Sequence, residues 1–157
     1  VVGGHPERVT AAVPTWTLDH QWSAILPDSR GEMGWTIGNN GFEMTLSAAV
    51  PGAIARHLPV TVAEGLAAAG LTAADVGSWA VHPGGPRVLL ADEEVLGLAP
   101  DAIAASRAVL AEHGNMSSPT ILFILERLIL ANAPGPCVAM AFGPGLTAEL
   151  ALLSRVG

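Results

Sequence analysis

The apolar and polar positions of this chain fall into blocks of two periods, separated by clusters of glycine, proline and asparagine. Thr15 to Leu26, rich in Thr, Trp and Ile, reads as a strand, and Pro27-Asp28-Ser29-Arg30-Gly31 as the turn after it. Met33 to Ile37 reads as the returning strand, and Gly38-Asn39-Asn40-Gly41 is a second turn signal. Phe42-Glu43-Met44-Thr45-Leu46 alternates with period two, which predicts a half-buried strand. Val50-Pro51 opens a helix through His57, and Val60 to Ala69 predicts a second helix closed by Gly70. Thr72-Ala73-Ala74-Asp75 has the form of a capping box or a short helical turn. Residues 5–13 are polar, carry Pro6 and read as a loop.

Ser78-Trp79-Ala80-Val81 reads as a short buried strand with His82 at its tip. Pro83-Gly84-Gly85-Pro86 stops that strand and starts a helix running to Leu96, because proline suits a first helical turn and glycine allows close backbone approach. Pro100 to His113 predicts another helix, closed by Gly114. Ser118 to Ala131 is apolar on almost every face, which predicts a buried helix, capped by Ser118 with Pro119 in its first turn. Cys137 to Phe142 reads as a central strand, Gly143-Pro144-Gly145 as a tight corner, and Leu146 to Leu153 as the last strand. Strands and helices mixed in this order, with one helix between layers, predict a layered α/β fold with a mixed sheet.

Composition narrows the class. At 157 residues one domain is the default. Apolar residues make up 50% and charged residues 13%, against about 25% charged in typical domains. That excess fits buried sheets, or a further face hidden against a partner. A net charge of −7 argues against a nucleic-acid or anionic-membrane surface. The most apolar run, Ile121 to Ala131, is interrupted by Glu126-Arg127, so no transmembrane span is expected. The lone Cys137 allows no disulfide framework and reads as a small buried apolar residue. With no signal peptide in view, a cytoplasmic location is the expectation. His5, His20, His57 and His113 lack metal-ligand spacing, and no metal site is expected. The opening Val1-Val2-Gly3 looks like the end of a strand, so the chain is expected to start inside a domain whose first half is absent.

Two polar side chains stand where elements end. His82 follows a strand, and strand tips are where ligand chemistry sits in open α/β sheets. Asn115 precedes a helix whose start offers positive potential to developing negative charge. Alone, such a histidine is more often structural and such an asparagine more often a cap. As a pair they suit stabilisation of an oxyanion, since asparagine stays neutral and donates two N–H bonds.

Three segments then carry a resemblance. Trp79-Ala80-Val81-His82-Pro83-Gly84-Gly85-Pro86, Gly114-Asn115-Met116-Ser117-Ser118 and Phe142-Gly143-Pro144-Gly145-Leu146-Thr147-Ala148-Glu149 together resemble the C-terminal half of the type III polyketide synthases, the chalcone and stilbene synthase-like enzymes. Met33-Gly34-Trp35 followed by Gly41-Phe42 looks like the bacterial branch. The resemblance implies that residues 1–157 form the C-terminal half of a thiolase-like fold, with the nucleophilic cysteine on a separate N-terminal half. It implies a polyketide-forming acyltransferase: a homodimer without metal or resident cofactor, taking acyl-CoA starters and malonyl-CoA as coenzyme A thioester substrates. It places the catalytic pair at His82 and Asn115 and the cavity-shaping loop at Gly143, Pro144 and Gly145. Phe42 and Met44 read as cavity lining or as core. On this reading the chain alone is inactive. Two other readings compete. One is a ketoacyl-ACP-synthase III-like fatty-acid enzyme, against which Pro83-Gly84-Gly85-Pro86 argues; the other is a non-catalytic dimerisation half-domain.

Overall fold

Alternation along three strands divides the apolar residues between two layers of helix. The computed structural model describes residues 15–156, so the loop expected over residues 5–13 lies outside the described residues. Strand β1 (Trp16–Ile25) pairs antiparallel with β6 (Thr147–Arg155), β6 antiparallel with β5 (Cys137–Gly143), and β5 parallel with β4 (Ser78–Val81). The sheet order is therefore β1-β6-β5-β4, a mixed sheet with β5 and β6 inside. Trp79, Val81, Val138, Met140, Ala148, Leu150 and Leu152 join one core with helix α1 (Val50–Ala68) and helix α2 (Pro86–Leu96). Their neighbours in sequence, Ala80, Cys137 and Ala139, join a second core with Val109 of α3 (Ala104–His113) and Ile124 and Leu128 of α4 (Pro119–Leu130). The period of two thus builds helix, sheet and helix in three layers. The layered α/β reading with a mixed sheet is borne out.

The segment predicted as two helices, to His57 and from Val60, is one helix of 19 residues with Pro59 inside it. Proline removes one helical hydrogen bond and crowds the preceding turn. Here Ile54, Leu58, Val62 and Leu66 form a fully covered stripe at helical spacing on either side of it, and that burial outweighs the local break. Gly70 closes the helix as expected, in a left-handed conformation with φ 73°, while Leu71 N–H donates to Leu66 O at 2.9 Å. The helix expected from Pro100 begins only at Ala104. Before it, Ala102 and Ala104 N–H donate to Ala99 O and Asp101 O, so the chain closes as successive tight turns around the buried Ile103.

Two burial expectations fail. Strand β3 (Gly41–Leu46), read as half-buried, is exposed at all six positions. Among the described residues it pairs only with β2 (Met33–Gly38), in a hairpin separate from the main sheet. Cross-strand pairs Met33–Leu46, Trp35–Met44 and Ile37–Phe42 put every apolar side chain on one face. Thr36, Glu43 and Thr45 occupy the other face. The alternation is real, but beyond Met33, which packs against the main core, no described element covers the apolar face. Helix α4, expected to be buried all round, buries Thr120, Ile124 and Leu128 and leaves Leu122 and Leu130 at 55% and 73% exposure. The sheet covers one stripe of it and nothing described covers the opposite one. No helix among the described residues is long and apolar enough to cross a membrane.

Candidate active site

Strand β4 is buried at all four positions, and the ladder runs one residue past it: His82 N–H donates to Met140 O at 2.8 Å. The chain then turns at once, with Gly84 N–H on His82 O at 3.0 Å, and Pro86 enters the first turn of α2. Pro83 is buried, which holds the turn against the body, while His82 itself is half-buried. Burial holds the imidazole below its ordinary pKa, because desolvation disfavours the charged form. At neutral pH the ring is therefore neutral, with one nitrogen to donate and one to accept.

Asn115 lies in the loop between α3 and α4 and is exposed. Its Oδ1 accepts from Ser117 N–H at 2.8 Å, which assigns the amide: the oxygen faces the backbone and the NH₂ group is the free end. Gly114 before it and Ser117 after it have φ of 71° and 63°. The cap expected from Ser118 is absent; Ser118 has helical dihedrals and makes no side-chain cap bond. Thr120 instead ties the preceding loop to the helix. Its buried Oγ1 accepts from Met116 N–H at 2.8 Å and its N–H donates to Ser117 O, so the loop folds back on the first turn of α4.

Helices α3 and α4, which flank the Asn115 loop, both pack on β4, the strand that ends at His82. Met116 packs in the same core as Ala80, so the residue beside Asn115 and the strand residue two before His82 share one cluster. The parallel register Val81–Met140 puts the C-terminal ends of β4 and β5 at one end of the sheet. Gly143, Pro144 and Gly145 therefore turn at the same end as His82. Pro144 O accepts from Thr147 Oγ1 at 3.1 Å, and Gly145 N–H donates to Met33 O at 2.7 Å, which ties this corner to the base of the hairpin. Phe42 and Met44 stand on the hairpin's apolar face at 71% and 54% exposure, and Phe42 meets Trp35 edge to face at 6.0 Å. One surface hollow, around Ile25 to Gly31, adjoins this corner, since Leu26 N–H donates to Leu146 O at 3.1 Å; another lies between Leu90 and Pro100.

Cys137 stands at the far end of the sheet, opposite Ser78 at the start of β4. It is buried, and desolvation pushes its thiol up to about 11, so it remains protonated and is no nucleophile for this site. Among the described residues no three of His, Cys, Asp and Glu gather as a metal-ligand set. Sequence reasoning passed over two buried polar residues, one of which touches the strand that carries His82. Ser106 Oγ, on α3, accepts from Val81 N–H at 3.1 Å. Asp92, on α2, is buried without a partner for either carboxylate oxygen. Nothing local marks either one, since both sit in ordinary helical sequence.

Comparison with known proteins gives a consistent result. The family model for chalcone and stilbene synthases, C-terminal domain, matches residues 17–157. A 1,3,6,8-tetrahydroxynaphthalene synthase from Streptomyces peucetius subsp. caesius is 39% identical over 132 residues, covering 82% of this chain and 35% of the relative. The crystal structure of PKS-I from the brown alga Ectocarpus siliculosus superposes with a TM-score of 0.86 at 30% identity, over 90% of this chain and 40% of that one. The chain thus spans roughly a third of the length of the curated relative it matches.

Proposed function

The chain belongs to the chalcone and stilbene synthase family, its fold is that of the thiolase-like polyketide synthases, and from that premise we propose that it supplies the acid half of a condensing site. A nucleophilic cysteine on an N-terminal half takes the acyl group from an acyl-CoA starter, and the CoA thiolate leaves. Malonyl-CoA enters next. Its C–CO₂ bond breaks, CO₂ departs, and the electron pair moves onto the thioester carbonyl to give an enolate oxygen. His82 and Asn115 N–H groups receive that charge. The enolate carbon attacks the cysteine-bound acyl carbonyl, a carbon–carbon bond forms, and the cysteine thiolate is released with the lengthened chain now on CoA.

The observation that carries this reading is the polarity of the two side chains. A neutral imidazole keeps an N–H to give, and the Asn115 amide is turned so that its free end is NH₂. Both donors can act without changing charge. The Gly143-Pro144-Gly145 corner and the apolar face bearing Phe42 and Met44 would form walls for the growing acyl chain. The enzyme works as a cytoplasmic homodimer, and this chain is inactive without its cysteine-bearing half.

The test is malonyl-CoA decarboxylation by the enzyme assembled from this chain and a cysteine-bearing half. His82→Ala is expected to lower kcat by about 10²–10³-fold, the usual effect of losing one oxyanion donor. A variant that decarboxylates at the wild-type rate would remove His82 from the mechanism. Transfer from CoA and not from a carrier protein separates this reading from a fatty-acid condensing enzyme.

A further inference from the structure

We infer that Ser106 is a positioning residue for His82, with Arg107 beside it holding the other side of the same turn. The inference rests on the proposed role of His82. Among the described residues strand β4 is an edge of the sheet, with β5 as its one strand neighbour. Ser78 N–H and His82 N–H point to β5, on Pro136 O and Met140 O. By alternation the N–H of Val81 points away from the sheet, where an interior strand would find a further neighbour. Val81 is fully buried, so water does not take that bond. Ser106 Oγ takes it at 3.1 Å. A serine fully buried within a helix is a poor helix former and an expensive group to desolvate unless it is bonded. Its placement is explained by the strand end that it holds.

Arg107 follows directly and points the other way, to an ion pair with Glu93 of α2. Helix α2 begins at Pro86, four residues after His82. Two consecutive residues of α3 therefore grip the strand before the turn and the helix after it. His82 itself is held by its N–H on Met140 O and by Gly84 N–H on its carbonyl, and Ser106 and Arg107 add support from the two flanks. The Arg107 leg is partly exposed and screened by solvent, which makes the buried Ser106 bond the dominant one.

Ser106→Ala in the assembled enzyme is expected to lower kcat for malonyl-CoA decarboxylation about tenfold with KM unchanged, because the substrate still binds while one donor is misaimed. The ionisation that His82 contributes to the pH profile of kcat/KM should move as well. Ser106→Thr, which keeps the hydroxyl, should recover most of the rate. If Ser106→Ala does not fold, Ser106→Cys keeps the volume, weakens the acceptor and carries the same expectations. A folded variant with wild-type kcat and an unmoved pH profile overturns the inference, as does a loss of rate that Ser106→Thr does not recover. An inactive His82→Ala beside a wild-type-like Ser106→Ala overturns this inference alone, whereas an active His82→Ala overturns the reading beneath it.

Discussion

The four-stranded sheet and the β2–β3 hairpin are written in the same alphabet of alternating apolar residues, yet one is covered on both faces and the other stands bare. Strand β5 buries Val138 and Met140 under α1 and α2, and Cys137 and Ala139 under α4. The hairpin gathers Met33, Trp35, Ile37, Phe42, Met44 and Leu46 on one face and buries none of the last five. The difference teaches that an apolar period records what a face was selected to meet, and not whether this chain provides it. The sheet end that carries His82 is covered by the chain's own helices, whereas no described element covers Trp35, Ile37, Phe42, Met44 or Leu46.

If the body is closed and the hairpin open, their tolerance to substitution must differ. The largest loss of stability from a substitution is expected at Gly65, where an added Cβ would run into the ring of Trp22. That ring cannot swing away freely, because Nε1 donates to Thr61 O at 3.0 Å and His20 stacks on it with centroids 5.5 Å apart. Gly65→Ala should cost about 3 kcal/mol in urea unfolding, as overpacking a tight core does; a cost below about 0.5 kcal/mol would mean that β1 is loosely seated on α1. The next effect concerns Asp92, whose carboxyl is pushed up to about 8 by burial on α2. The unfolded chain ionises it from about pH 4, while the folded chain keeps the proton until about pH 8. Fewer protons on the unfolded state mean that stability falls as pH rises through that window and levels off above it. The slope is at most about 1.4 kcal/mol per pH unit. Asp92→Leu should flatten it, and unfolding at pH 5, 6.5 and 8 reads the result; an unchanged slope would show a relaxed, solvated carboxylate. The smallest effect on stability belongs to the hairpin. Ile37, 82% exposed, should change to Ser within about 0.5 kcal/mol while reducing binding of a hydrophobic dye. A larger loss of stability would show the face already occupied.

Legibility followed the range of the forces involved. Strands β4 and β5 were readable because an apolar run bounded by Gly and Pro is a local signal, and His82 was placed at a strand tip by the Pro83-Gly84 break behind it. Helix α1 was split in two because Pro59 acts locally, while the Ile54 to Leu66 stripe that overrides it acts through the core. The outward residues of α4 and the face of β3 were read as buried because periodicity ranks faces and does not supply their cover. Ser118 read as a cap because it is a hydroxyl residue before a helix, but its helical dihedrals leave its side chain without a cap bond. Ser106 and Asp92 escaped because nothing in their neighbours announces a bond across the fold or the lack of one.

The tether between Ser117 N–H and the Asn115 oxygen makes that side chain one-sided. Whatever approaches its outer end meets hydrogen and never a lone pair, so the position sorts visitors by the sign of their charge. An aspartate there would keep the same tether yet present a bare anion outward, turning an attractive surface into a repellent one with no change of shape.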